Sequence, residues 1–136
     1  YKRQDALSHI YGCAAGLDMT RRDLQNKAKE NRKPWDTAKD VDESAVITPL
    51  RRMAEVPSVA SGRIHLSQNG TVKQDADLSE MVWSVPEIIA DLSTMYTLQQ
   101  GDVIYMGTPA GVGAVSRGDV LAGGVEGIGD FEVKIA

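Results

Sequence analysis

Three short stretches hold the side chains that could do chemistry. GLDMTRRDLQ, residues 16–25, ends an apolar run on the carboxylate of Asp18 and places Arg22 about one helical turn beyond it. KPWDTAK, residues 33–39, sets Lys39 in a polar segment beside a large aromatic, and GTPAGVG, residues 107–113, is a glycine-rich loop around Thr108. Each has an ordinary structural explanation. Asp18 can serve as a helix-start or turn acid, with Arg22 as its surface ion-pair partner, a pairing worth only about 0–1 kcal/mol. Lys39 can be a solvated charge. The glycine loop lacks the GK[ST] of a phosphate-binding P-loop and does not read GxGxxG at a helix start, so nucleotide binding has little support. It can instead bring backbone N–H groups and the Thr108 hydroxyl against a small anion. His9 and His65 stand in apolar or alternating contexts with no Ser/His/Asp arrangement, and read as structural.

The elements that must position these residues are legible in outline. Tyr11, Gly12 and Gly16 favour a strand from about Ile10 to Asp18. Thr20 reads as an N-cap, with Asp23 three residues on, for a short solvated helix RRDLQNKAKEN that stops before Pro34. PWDTAKDVDES reads as a loop. AVIT is a strand, and RIHLSQNGTVKQ is a hairpin whose Asn69-Gly70 pair supplies the positive φ angles of a type I′ turn. Ser84 and Glu87 form a capping box for a helix to about Leu98, with Pro86 in its first turn and Ile88, Ile89, Leu92, Met95 and Tyr96 on one face. VIYMG reads as a strand entering the glycine loop, and VLAGGVEGIGDFEVKI as short strands separated by glycine turns. Trp35, Trp83 and the methionines read as core or pocket wall. The inventory predicts an α+β, β-rich fold: a mixed β roll or barrel with two short helices in a single domain spanning 1–136.

Composition narrows the function classes. The 136 residues are 42% hydrophobic, which permits an ordinary core, and carry a net charge of −4 with no long basic block. A nucleic-acid or anionic-membrane surface needs a clustered positive field, so neither partner is expected. The single Cys13 cannot form an internal disulfide, and no Cys/His cluster points to zinc. With no signal-like start and no long apolar run, a cytoplasmic location is the expectation. The chain opens Tyr-Lys-Arg-Gln without methionine, close to the first strand, and reads as cut from a longer protein.

Taken in order, LDMTxRDLQ, [KR]PWxxxK, QNGxxxQ, MxWSxPxII and GDVIxxGTPxGVG resemble the fumarylacetoacetate hydrolase family from about Tyr11 to Ile135. KPWDTAK and GLDMTRRDLQ look most like its fumarylpyruvate-hydrolysing branch, which serves gentisate-type aromatic degradation. The resemblance implies a divalent metal, Mg²⁺ or Mn²⁺, held by three carboxylates of which Asp18 is the third. It implies that Arg22 and Gln25 line the substrate site, and that Lys39 is the active-site lysine that stabilises charge developing on a substrate oxygen. It places Thr108 where the substrate carboxylate is received. The implied reaction is hydrolysis of a carbon–carbon bond in an acylpyruvate, giving fumarate and pyruvate from fumarylpyruvate, in a homodimer that takes a small 2-oxo acid. The family's Glu-x-Glu ligand pair and its water-activating His/Glu element lie further upstream, and residues 1–17 contain no glutamate. The expectation is thus a C-terminal fragment holding one corner of a metal site. A 2-oxo acid decarboxylase, a ring-cleavage-product isomerase and a remnant keeping only fold and dimer contacts stay open beside it.

Overall fold

The computed structural model describes residues 2–136. A 3-10 turn, Arg3–His9, precedes two short strands, β1 (Gly12–Cys13) and β2 (Gly16–Asp18). Helix α1 (Arg22–Glu30) and the single-turn α2 (Asp36–Lys39) follow, then β3 (Ala45–Ile47) and β4 (Arg51–Arg52). The second half holds the hairpin β5 (Arg63–Gln68) and β6 (Thr71–Asp77), helix α3 (Val85–Met95), and the hairpin β7 (Val120–Val125) and β8 (Gly129–Lys134). The class is α+β and rich in strand, as the sequence predicts.

All strand pairing among the described residues is antiparallel. β1 pairs with β4, β2 pairs with β3, and the larger sheet has the order β6-β5-β7-β8. Alternation divides that sheet into two faces. Ile64, Leu66, Val125 and Phe131 look inward; Gly123 stands opposite both Leu66 and Phe131 and leaves room for their side chains. His65, Asp75 and Asp130 occupy the other face, in register around Gly124. The core gathers where the β1–β2 segment meets this sheet. Ala15, Val125 and Ile128 are buried there, with Cys13, Val56, Ile64, Leu78 and Phe131 packed against them.

Local chemistry explains the boundaries. Asn69 (φ 52°) and Gly70 (φ 78°) both take the left-handed conformation that the type I′ turn requires. Asp119 fastens this turn to the start of β7, accepting from Ser116 N (2.7 Å), Gln68 Nε2 (2.6 Å) and Asn69 Nδ2 (2.7 Å). These three donors hold the Asp119 carboxyl below the usual aspartate range. Helix α3 starts at the predicted capping box: Glu87 Oε2 accepts from Ser84 N at 2.7 Å. Arg3 pairs with Glu87, bringing the N-terminal 3-10 turn onto this helix.

Five expectations are corrected. The strand foreseen from Ile10 to Asp18 is interrupted at Ala14–Ala15, because Ala15 exchanges hydrogen bonds with Thr48 rather than with a strand partner. Thr20 is not the cap of α1; Arg21 stands there without a side-chain cap bond, and the Thr20 hydroxyl is taken by Lys39. The supposed loop 34–44 contains α2. Residues 103–107 form no strand ladder, although VIYM has strand character, since no backbone among the described residues pairs with them. Trp35, Trp83 and Met95 are exposed and not core, although Trp83 does line a shallow cavity with Arg3 and Glu87, and Tyr96 also leaves the apolar face of α3, on which Ile89 is the buried member.

Candidate active site

Asp18 is the last residue of β2, opposite Ala45 at the start of β3, so the ladder fixes its backbone. The chain between these two residues makes an excursion through α1 and α2. Two backbone bonds tie it down: Met19 N to Ser44 O (2.9 Å) and Arg21 N to Ala38 O (3.0 Å). Ala38 is fully buried, which anchors α2 and aims the neighbouring Lys39 back at the ladder's end. Lys39 Nζ donates to Asp18 Oδ2 at 2.6 Å and to Thr20 Oγ1 at 2.8 Å. Two residues twenty-one positions apart thus form one ammonium–carboxylate pair, partly open to solvent.

Arg22 and Gln25 form a second contact on the first turns of α1. Arg22 Nη1 donates to Gln25 Oε1 at 2.6 Å, and Gln25 is only 3% exposed while Arg22 lies at the surface. A buried amide carbonyl that accepts from the guanidinium restricts the arginine's rotamers while leaving its other N–H groups available to an anion.

The glycine loop lies against the edge strand β6. Gly111 has φ +105°, and a Cβ there would run into the Lys73 carbonyl, so only glycine permits this approach. On the next residue of β6, the Gln74 amide nitrogen donates to Thr108 Oγ1 (2.8 Å) and to Pro109 O (2.7 Å). Thr108 itself is exposed at the loop tip.

Tyr105 connects the approach to this loop with the Asp18 strand. Its hydroxyl donates to Val46 O at 2.9 Å, and its ring lies where a side chain at residue 16 would otherwise be, so Gly16 makes space for it. Burial first, and then the negative charge of Asp18, push the Tyr105 phenol above its ordinary value. Neither Tyr105 nor Gln74 was singled out for a role by the sequence. Gln74 is the final residue of QNGxxxQ, and its one sequence signal is a polar side chain at an inward position of a strand.

The structure therefore joins Asp18 to Lys39 and Arg22 to Gln25, and brings Thr108 to Gln74. Asp18 is a hard oxygen donor whose Oδ1 has no hydrogen bond among the described residues. No group of three His, Cys, Asp or Glu side chains suited to a metal is found among those residues. A Mg²⁺-like cation needs about six oxygen ligands, so these residues alone do not fit one.

Over residues 1–136 the chain matches the fumarylacetoacetate (FAA) hydrolase C-terminal domain. It belongs to the fumarylacetoacetate hydrolase family. It is 52% identical over 126 residues to fumarylpyruvate hydrolase of Ralstonia sp., covering 93% of this chain and 65% of that protein. It is 34% identical over 130 residues to the mitochondrial oxaloacetate tautomerase FAHD1 of Homo sapiens, covering 96% of this chain and 59% of the relative. Among solved structures, fumarylpyruvate hydrolase from Pseudomonas aeruginosa in complex with Mn²⁺ and pyruvate superimposes with a TM-score of 0.97 at 39% identity, over 100% of this chain and 58% of that one. The family chain thus spans about three fifths of the length of these relatives.

Proposed function

We propose that this chain supplies the substrate-holding part of an acylpyruvate hydrolase, with fumarylpyruvate as substrate and fumarate and pyruvate as products. The observation that carries the reading is the Lys39–Asp18–Thr20 contact at the open end of the β2–β3 ladder, in a chain 52% identical to a fumarylpyruvate hydrolase. In this reading the Thr108 hydroxyl receives the pyruvyl carboxylate and Arg22, steadied by Gln25, holds the carboxylate at the fumaryl end. The two anchors fix the scissile bond between them. A water adds its oxygen to the carbonyl on the fumaryl side, and the bond from that carbon to the pyruvyl methylene breaks. The electron pair leaves on the pyruvyl fragment as an enolate, and a proton then restores the methyl group of pyruvate. Lys39 places a fixed positive charge beside the oxygen that becomes negative.

Asp18 would contribute one carboxylate to a divalent cation, Mn²⁺ or Mg²⁺. The remaining ligands would come from the part of the relatives that these residues do not match. The Mn²⁺ and pyruvate in the P. aeruginosa structure support this reading. We place the protein in the cytoplasm as a homodimer, acting in gentisate-type aromatic degradation.

The test is pyruvate release from fumarylpyruvate by the protein in its full natural length, supplied with Mn²⁺ or Mg²⁺, for wild type and Asp18→Asn. Turnover that Asp18→Asn abolishes supports the proposal; no turnover of fumarylpyruvate removes the substrate assignment. Identity to an oxaloacetate tautomerase motivates oxaloacetate as the second substrate. Preference for it would move the reading to a 2-oxo acid isomerase or decarboxylase of the same family. Light scattering that returns a monomer mass would remove the homodimer.

A further inference from the structure

We propose that Gln74 is a positioning residue that sets the direction of the Thr108 hydroxyl, making it a hydrogen-bond donor toward the ligand's carboxylate. The inference rests on the reading of Thr108 given above, and goes beyond it by naming what orients that group.

The argument begins with burial. Gln74 lies in the edge strand β6 opposite Leu66, and only 8% of it is exposed. An inward amide in a half-apolar sheet face must find partners, and it finds both in the glycine loop. Pro109 O is a carbonyl and can only accept, so the Gln74 atom 2.7 Å from it is the amide nitrogen. That nitrogen has two hydrogens. One goes to Pro109 O, and the other goes to Thr108 Oγ1 at 2.8 Å.

A hydroxyl has one hydrogen and two acceptor lone pairs. With one lone pair occupied by Gln74, the Thr108 hydrogen has to point elsewhere. Among the described residues the Thr108 hydroxyl donates to no acceptor, and Thr108 is at the surface of the loop. The free direction of its O–H is therefore outward, where an anionic oxygen would sit. A Thr108 hydroxyl facing an acceptor in place of Gln74 would spend its hydrogen inward and offer the carboxylate a lone pair. The polarity of one buried amide thus decides whether the loop attracts or repels an anion. Gly111 supports the arrangement, since its missing side chain lets the loop lie close enough to Lys73 and Gln74 for both bonds to form.

The test is a double-mutant cycle on the full-length, Mn²⁺-loaded protein, read as the affinity for pyruvate. The variants are Gln74→Met, which keeps the length of the side chain and removes both donors, Thr108→Val, and the pair together. Gln74→Glu reverses the polarity and forms a second cycle, so the proposal stays testable if one variant does not fold. Thr108→Val is expected to weaken pyruvate binding about tenfold or more, the scale of a lost hydrogen bond to a charged group. Gln74→Met should weaken it several-fold and Gln74→Glu more. Neither should weaken it further once Thr108 is valine. Losses that add in full would show that Gln74 acts without Thr108 and overturn the inference, while leaving Thr108's role intact. Unchanged affinity in both Gln74 variants, with Thr108→Val weakened, would overturn it in the same way. Unchanged affinity in Thr108→Val would remove the reading of Thr108 and the inference with it.

Discussion

Replacing Lys39 by methionine separates a structural ion pair from a catalytic cation. At 2.6 Å, Lys39 Nζ and Asp18 Oδ2 attract by about 1.6 kcal/mol if the surrounding dielectric is that of water. Their side chains are 35% and 49% exposed, so solvent and salt screen the pair toward that limit. Holding a lysine in one rotamer costs up to about 1.5–2 kcal/mol of side-chain entropy, which offsets most of the gain. The net contribution to folding is then about 0–1 kcal/mol. With a urea m-value near 2 kcal/mol/M, the unfolding midpoint of Lys39→Met should fall by no more than about half a molar. Catalysis should respond very differently. A preorganised charge at a developing oxyanion is worth about 10²–10³ in kcat, or roughly 2.7–4 kcal/mol. The assay is urea unfolding followed by circular dichroism, set beside steady-state pyruvate release from fumarylpyruvate. A stability loss above about 3 kcal/mol would make Lys39 a structural clamp. A kcat within threefold of wild type would show that it does not stabilise the reaction's charge. Either result refutes the reasoning.

Three further outcomes follow from named contacts. Gly111→Ala should destabilise the protein by about 1–3 kcal/mol, because alanine cannot hold φ +105° without strain and its methyl would overlap the Lys73 carbonyl; thermal unfolding and pyruvate affinity should fall together. Thr48→Val keeps the shape of a buried residue but removes the hydroxyl that accepts from Ala15 N at 3.1 Å, and should cost about 1–3 kcal/mol in urea unfolding. Asp119 has its carboxyl lowered in the folded state, first by Ser116 N–H and then by Asn69 and Gln68. Its stabilisation is complete above the ordinary aspartate range and is lost as pH falls through the depressed folded value. Asp119→Asn should therefore lower stability most at neutral pH and converge with wild type below about pH 4, flattening the acid limb when unfolding is measured across pH.

What the sequence disclosed was mostly local. The Asn69-Gly70 turn and the Ser84/Glu87 box are specified by residues three or fewer positions apart, and the structure has both. The glycine-turned hairpin β7–β8 belongs with them. What it hid depended on partners far along the chain. Thr20 looks like a cap until Lys39, nineteen positions on, takes its hydroxyl. The run VIYM has strand character, but among the described residues it touches β2 and β3 through the Tyr105 side chain without forming a backbone ladder. Trp35 reads as core by type; in the fold its ring is partly exposed and sits under the Lys29 ammonium, 4.9 Å from the ring centre. Ordered motifs single out the candidate residues, whereas the contacts these make in the fold leave no such mark. Gln74 and Tyr105 join segments more than thirty positions apart, and no short window of sequence shows such a bond.

The pairing of Asp18 with Ala45 has an engineering consequence. The excursion that carries Arg22, Gln25 and Lys39 leaves and re-enters the fold at two directly opposed positions of one short ladder. Residues 19–44 are therefore a transplantable cassette whose stumps already lie side by side. Exchange with the matching segment of another family member would replace Arg22, Gln25 and Lys39 together while keeping the four-stranded sheet and the Thr108 loop. The side chains around Asp18 could then diversify by replacing one contiguous block of sequence, without redesigning the scaffold that receives it.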